Sequence, residues 1–300
     1  MRKIRNFKAY YFERCTIFLR VVSTTIVSVM SFTPTQSVHS SSLAVVILAA
    51  GKGTRMNNPD KAKVMFELSG VPMIDYVVRQ ALSLAPEHIV AVVGFQKASV
   101  MSYLSATFGA RVTFAHQDQQ LGTGHAVQQV EPVLREFQSR PDASVLILSG
   151  DVPLLKNTTL QAFSAAHYRS GAVVSVLSVD APNPAGYGRI VRGADGEFER
   201  IVEHKDASEA ERALTEINSG IYLVNAKQLF AALHHVSNTN VQGEYYLTDI
   251  ISILRGRGER VAAWKCDAFG EVLGVNTVQQ LEEAQETLEA MKGELVLSEA

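Results

Sequence analysis

Cysteine is scarce in this 300-residue chain: only Cys15 and Cys266 occur. Two such distant residues offer neither a disulfide framework nor zinc-ligand spacing, and a reducing compartment is expected. A strong charge of either sign is also missing. The net charge is −2, so no electrostatic footprint for nucleic acid exists and no nucleic-acid partner is expected. Long apolar runs are absent too. The best candidate, "VVSTTIVSVMSF" at 21–32, is too short to span a bilayer comfortably, and Arg20 blocks its extension. It sits in a basic segment, residues 1–42, with a net charge of +5 that leaves −7 for the remainder. The pattern resembles a signal peptide, but no A-x-A-like cleavage site follows. Residues 1–42 are read as an N-terminal extension, disordered or upstream of a true start at Met30, with a targeting segment or anchor as the other reading. No firm membrane contact and a cytoplasmic location are expected. Internal repeats are lacking, as are Cys–His and Ser–His–Asp constellations.

What is present begins at Leu43. "LAVVILAA" is a short β-branched run suited to a strand buried on both faces. "PMIDYVVRQALSLA" has helical spacing and stops at Pro86. "HIVAVVG" reads as a strand, "KASVMSYLSATFG" as a helix ended by Gly109, and "ARVTFAH" as a third strand. "GTGHAVQQVEPVLREF" is expected to be helical, kinked or split at Pro132. "SVLILSGD" is a fourth buried strand. "NTTLQAFSAAHYRSG" follows as a helix capped by Asn157 or Thr158, and "AVVSVLSVD" is a fifth strand. This alternation predicts an α/β fold with a mostly parallel, doubly wound sheet, whose ligands bind at the carboxyl ends of the strands. After Asp180 turn residues crowd together. Strands near 189–191 and 198–203 suggest a hairpin inserted over one sheet edge. "EINSGIYLVN" is a further strand, helices are expected over 226–235 and 244–255, "RVAAWK" is a strand, and a last helix runs over 277–292.

The first strand opens into "GKGTRM". A Walker A loop needs G-x-x-x-x-G-K-[ST], which is not there. A dinucleotide fingerprint needs a third glycine where Met56 stands. The remaining ligand reading is a phosphate-cradling nest of backbone N–H groups, with Lys52 and Arg55 adding charge. A tight turn with solvated cations is the alternative.

The blocks "LAAGKGTRM", "QDQQLGTGHA", "LSGDVPLL", "GYGRI", "IVEHKDA", "EINSGIYL", "QGEYYLTDII" and "GVN" occur in one order. Together they resemble the sugar-1-phosphate nucleotidyltransferase family, specifically the N-acetylglucosamine-1-phosphate uridyltransferase half of bacterial GlmU, over about 43–288. The resemblance implies a Rossmann-like nucleotidyltransferase fold with an inserted β-rich sugar-binding part. It implies a domain at 43–276, with a C-terminal helix and tail at 277–300. It also implies transfer of a uridylyl group from UTP to N-acetylglucosamine 1-phosphate with Mg²⁺, giving UDP-N-acetylglucosamine, a cell wall precursor, and pyrophosphate.

Site residues follow by matching position. The resemblance assigns nucleotide contacts to Leu48, Ala49, Ala50 and Gly51. Arg55 matches an arginine that meets the phosphates. Lys63 matches the catalytic lysine; Ala62 replaces the expected proline and the loop is one residue longer, so Lys61 is the alternative. Gln117, Gly122 and Thr123 match the base-binding segment. A glutamine amide offers a donor and an acceptor to an imide edge, while Thr123 is either a base contact or a helix cap. Asp151 and Asn276 match the two protein ligands of Mg²⁺; both present hard oxygens, and Asn276 is otherwise a helix cap. Gly188, Glu203 and Asn218 match sugar contacts. Ser149 stands where some relatives have tyrosine. "QGEYYLTDI" is read as mainly structural.

The chemistry needs no activated nucleophile, because a sugar phosphate already carries an anionic oxygen. Bringing two polyanions together is the difficulty, and cations offset it. The alternatives are a related transferase with another sugar or base, or a non-catalytic nucleotide-sugar sensor. No acetyltransferase activity is expected, since the chain ends one helix after Asn276, and a monomer or weak dimer is expected.

Overall fold

A computed structural model describes residues 42–56 and 58–298, with side chains described as far as Met291. The extension expected at 1–42 lies outside the described residues except for Ser42.

In chain order the elements are β1 (Leu43–Ala49), 3-10 turns at Thr54–Met56 and Lys63–Met65, β2 (Glu67–Leu68), β3 (Val71–Pro72), α1 (Met73–Ser83), β4 (His88–Val93), α2 (Lys97–Phe108), β5 (Thr113–His116), α3 (Thr123–Gln128) and β6 (Ser144–Ser149). Then come α4 (Asn157–Ser170), β7 (Val174–Asp180), β8 (Arg189–Arg192), β9 (Phe198–Val202), α5 (Glu209–Arg212), β10 (Glu216–Asn225), α6 (Ala226–Leu233), α7 (Asp249–Gly256), β11 (Val261–Cys266), a 3-10 turn at Phe269–Glu271, and α8 (Val278–Ser298).

The main sheet runs β11-β7-β10-β6-β1-β4-β5. Its pairs are parallel except where β10 enters antiparallel between β6 and β7. Alternation along β1 explains why it is apolar throughout. Ala44 and Val46 pack into one core with α3, α6 and α7, while Val45 and Ile47 pack into the other with α1, α2 and α4. A third cluster, with Met56, Leu68, Met73 and Val275, is closed by Leu281 and Ala284 of α8.

Several expectations are corrected. α3 stops at Gln128, and turns follow where a longer helix was expected. Pro132 has no N–H to give the Gln128 carbonyl, so the ladder fails there. α4 has Lys156 at its N-cap with no side-chain cap, so neither Asn157 nor Thr158 fills that role. Glu271 instead brings its carboxylate to the first turn, taking a 2.5 Å bond from Thr159 Oγ1 and pairing with Lys156 at 2.9 Å. α7 begins at Asp249, five residues later than expected, because residues 244–248 run beside α3. The β8–β9 hairpin does not lie over a sheet edge. It branches from β10, an interior strand, through the Ile217–Arg189 pair. Arg189, 1% exposed, anchors it through the backbone carbonyls of Leu214, Tyr187 and Arg212. The last helix runs six residues past its expected end.

Candidate functional site

The carboxyl ends of β1 and β6 are adjacent, and their loops open on a cavity of about 310 Å³. Leu48, Ala49, Ala50, Gly51, Lys63, Gln117, Gly122, Thr123 and Asp151 line it. Nine of the residues singled out by resemblance, from four separate stretches of chain, therefore line one cavity. Val64, Gln120, Ala126, Ser149 and Glu244 complete the lining.

The loop after β1 is shaped by Gly53, whose φ of +62° is left-handed. A Cβ there would lie 2.5 Å from the Lys63 Cβ, so the missing side chain lets the lysine stem pass. Lys63 Nζ then donates to Asp151 Oδ2 and, at 2.9 Å, to Asn276 Oδ1. Arg55 reaches the same Asn276 oxygen at 3.0 Å. The Lys63 and Asp151 side chains are 17% and 15% exposed. Lys61 points elsewhere: it pairs with Glu67 at 3.4 Å and sits over the Phe66 ring. Of the two candidate lysines, only Lys63 enters the cluster.

Asp151 and Asn276 are held together by backbone. Val275 N donates to the Asp151 carbonyl at 2.9 Å, Asn276 Nδ2 to the Gly274 carbonyl at 3.0 Å, and Gln280 Oε1 accepts from Asn276 N at 2.8 Å. Asn276 is not the cap of α8; Thr277 Oγ1 accepts from Gln280 N instead. Among the described residues no group of three or more His, Cys, Asp or Glu side chains could hold a metal ion. Two hard oxygens from protein are what this cluster offers, which fits a cation that completes its shell with phosphate and water.

On the opposite wall Gln117 is 3% exposed, and its Nε2 donates to the Gly122 carbonyl at 2.9 Å. Gly122 has φ +108°, and a Cβ there would lie 2.6 Å from the Tyr245 carbonyl. That carbonyl accepts from Gly124 N at 2.7 Å, Tyr245 N donates to Leu121 O at 2.8 Å, and Leu247 N donates to Thr123 Oγ1 at 3.1 Å. Thr123 is thus the first residue of α3, not its cap. The segment at 244–247 buttresses the wall, and Glu244 lines the cavity. Sequence reasoning treated this stretch as structural and missed Glu244; an isolated acid beside "YYL" was the available signal.

Gly188, Glu203 and Asn218 gather apart from that cavity. A Cβ on Gly188 would lie 3.6 Å from both Asn218 Cβ and Glu203 Oε1, and Asn218 N donates to the Gly188 carbonyl at 2.9 Å. Asn218 Nδ2 donates to Tyr222 Oη at 2.7 Å, and its Oδ1 accepts from Gly220 N at 2.9 Å. Burial pushes the Glu203 carboxyl up; the Thr248 hydroxyl, donating at 3.1 Å, opposes this, while the charges of Asp249, Asp206 and Glu244 add to it. The two sets meet at the register shift in β10 between Asn218 and Tyr222. There a Cβ on Gly220 would lie 3.2 Å from Ser149 Oγ. Tyr187, raised first by burial and then by Asp151, also lies within electrostatic reach of the cluster.

The nucleotidyl transferase family pattern matches residues 44–289. Proteins named bifunctional protein GlmU are 48% identical over 243 residues in a Geobacillus species and 48% over 242 residues in Geobacter sulfurreducens, in each case over 81% of this chain. The matches cover 51% and 49% of those proteins, so the chain spans about half the length of the curated relatives it matches. Among solved structures, a putative glucose-1-phosphate thymidylyltransferase from Bacillus anthracis aligns with a TM-score of 0.65 at 19% identity, covering 82% of this chain and 94% of its own. A UDP-glucose pyrophosphorylase aligns with a TM-score of 0.66 at 18% identity, covering 83% and 98%. These two likenesses concern the fold.

Proposed function

Because the chain belongs to the nucleotidyl transferase family, we propose that it transfers a uridylyl group from UTP to N-acetylglucosamine 1-phosphate. A phosphate oxygen of the sugar attacks the α-phosphorus of UTP in line. The bond to the β-phosphate breaks, pyrophosphate leaves, and UDP-N-acetylglucosamine remains. The observation that carries this reading is the convergence of Arg55, Lys63, Asp151 and Asn276 at the mouth of the cavity lined by Leu48, Gln117, Gly122 and Thr123.

Each group has a part that its position supports. Backbone at 48–51 and 122–123 receives the nucleoside, with Gln117 at the base. Arg55 and Lys63 stabilise charge on the phosphates as it moves to the leaving pyrophosphate. Gly188, Glu203 and Asn218 hold the sugar. Nucleotidyltransferases of this family generally use a divalent metal. Mg²⁺ is the ion proposed here, held by Asp151 and Asn276, and it supplies charge neutralisation and orientation of phosphate oxygens.

A panel of nucleoside triphosphates and sugar 1-phosphates, read by pyrophosphate release, tests the proposal. UTP with N-acetylglucosamine 1-phosphate should be the best pair. A better pair with another sugar or base reassigns the substrate, and tight UTP binding without release from any pair points to a nucleotide-sugar sensor.

A further inference from the structure

Asn276 Oδ1 accepts from Lys63 Nζ at 2.9 Å and from Arg55 at 3.0 Å. A carbonyl oxygen has two lone pairs, so both are committed. The same ammonium covers Asp151 Oδ2. A cation bridging these two oxygens must displace a donor from Asn276 Oδ1 and take the position between Asn276 and Asp151 where the ammonium sits, and Lys63 is the donor that touches both. The Asp151 backbone and the Asn276 side chain do not depend on Lys63 for their placement. The Val275 N to Asp151 O bond, the Asn276 Nδ2 to Gly274 O bond and the Gln280 bond to Asn276 N hold them from behind. Lys63, by contrast, is tied at its root, where its stem passes Gly53, and its reach is a flexible unbranched chain.

We infer that Lys63 and a divalent cation exclude each other at the Asp151 and Asn276 oxygens, the ammonium holding that position until the cation arrives and turning to the phosphates once displaced. The inference rests on reading Asp151 and Asn276 as the metal's protein ligands. Charge adds a second element. The cluster sets two cations, Lys63 and Arg55, against one carboxylate. Placing a divalent ion among them without a polyanion is opposed by like charge, whereas a triphosphate arriving with the ion offsets it. The cation therefore binds the free protein weakly and enters with the nucleotide.

Mn²⁺ alone, titrated into the full chain without nucleotide and followed by electron paramagnetic resonance of free Mn²⁺, is the test. Lys63→Met should tighten Mn²⁺ binding by about tenfold, an ordinary size for coupling between two mutually exclusive ligands. Arg55→Met removes the same unit charge but uncovers only the Asn276 oxygen, so it should tighten binding less. Lys63→Met affinity that is unchanged, weaker, or no tighter than that of Arg55→Met overturns the exclusion. A second measurement uses unaltered protein. An amine-reactive ester, read by peptide mass spectrometry, should label Lys63 faster relative to Lys61 when Mn²⁺ is added, and an unchanged ratio also overturns the inference. Asp151→Asn should lose Mn²⁺ with either residue at 63. Retained binding there would instead remove the donor-pair reading beneath the inference.

Discussion

The wall at the ends of β1 and β6 and the patch beneath the β8–β9 hairpin belong to one sheet, yet they satisfy their polar groups differently. Around Asp151 two cations face one carboxylate and an amide oxygen, and the excess positive charge borders the cavity. Around Asn218 the amide donates to Tyr222 and accepts from Gly220, while Glu203 takes the Thr248 hydroxyl. One region is short of negative charge and gains by receiving phosphate. The other is closed on itself, and a ligand placed there would have to exchange internal bonds for its own, so its net gain per contact would be smaller. Phosphate capture should therefore dominate the energetics, and sugar choice should come from finer adjustments.

Changes on the phosphate side should be the most costly. Asp151→Asn keeps size but removes the only carboxylate in the cluster. Turnover should fall on the order of 10²–10³-fold, roughly 3–4 kcal/mol, with the thermal melt nearly unchanged, since Asp151 lies in the turn after β6 and outside the core. Turnover near normal with an unaltered metal dependence would break the contrast at its strongest point. Next comes the base wall. Gly122→Ala places a Cβ against the Tyr245 carbonyl at a left-handed φ, which should cost about 1–3 kcal/mol and raise the KM for UTP more than that for the sugar phosphate. Equal effects on both KM values would mean that the wall serves the two substrates alike.

Two pH responses sharpen the comparison further. His167, buried against Ser175 Oγ at 2.8 Å between α4 and β7, is held down to about 4 by burial, while the unfolded chain takes its proton near 6.5. As pH falls from 6.5 to 4 the unfolded state binds the extra proton, so stability declines by up to about 1.4 kcal/mol per pH unit. Melts of unaltered protein and His167→Gln should show that slope only in the former. Glu203 is the smaller effect. Its raised pKa leaves it partly protonated above the usual glutamate range, so sugar-phosphate affinity should improve as pH rises through that region and level off above it. Affinity should change less than about tenfold. Glu203→Gln should flatten the profile; a profile that persists in this variant assigns the titration elsewhere. The melts separate loss of sugar affinity from loss of fold.

Legibility in the sequence followed the same division. The apolar run ending in "GKGTR" and the carboxylate ending "SGD" mark strand ends and charge directly, and the fold brings both to one cavity. The choice between Lys61 and Lys63 was readable only as a preference for Lys63 by resemblance. It turns on the 3-10 turn at Lys63–Met65 and the gap at Gly53, which no periodicity reports. The antiparallel entry of β10 was equally hidden, because a strand buried on both faces is apolar whichever way it runs. The supporting role of 244–247 comes from backbone hydrogen bonds to α3, and backbone groups are the same for every sequence.

The place of β10 in the sheet also orders events during synthesis. β6 and β7 are complete by Asp180, but they cannot be joined until residues 216–225 leave the ribosome and slide between them. Until then both strands present unpaired, apolar edges, the kind of surface that recruits other chains. A nascent protein of this sequence therefore passes through a window about 45 residues long, from Asp180 to Asn225, in which β6 and β7 wait for a partner that has not yet been completed.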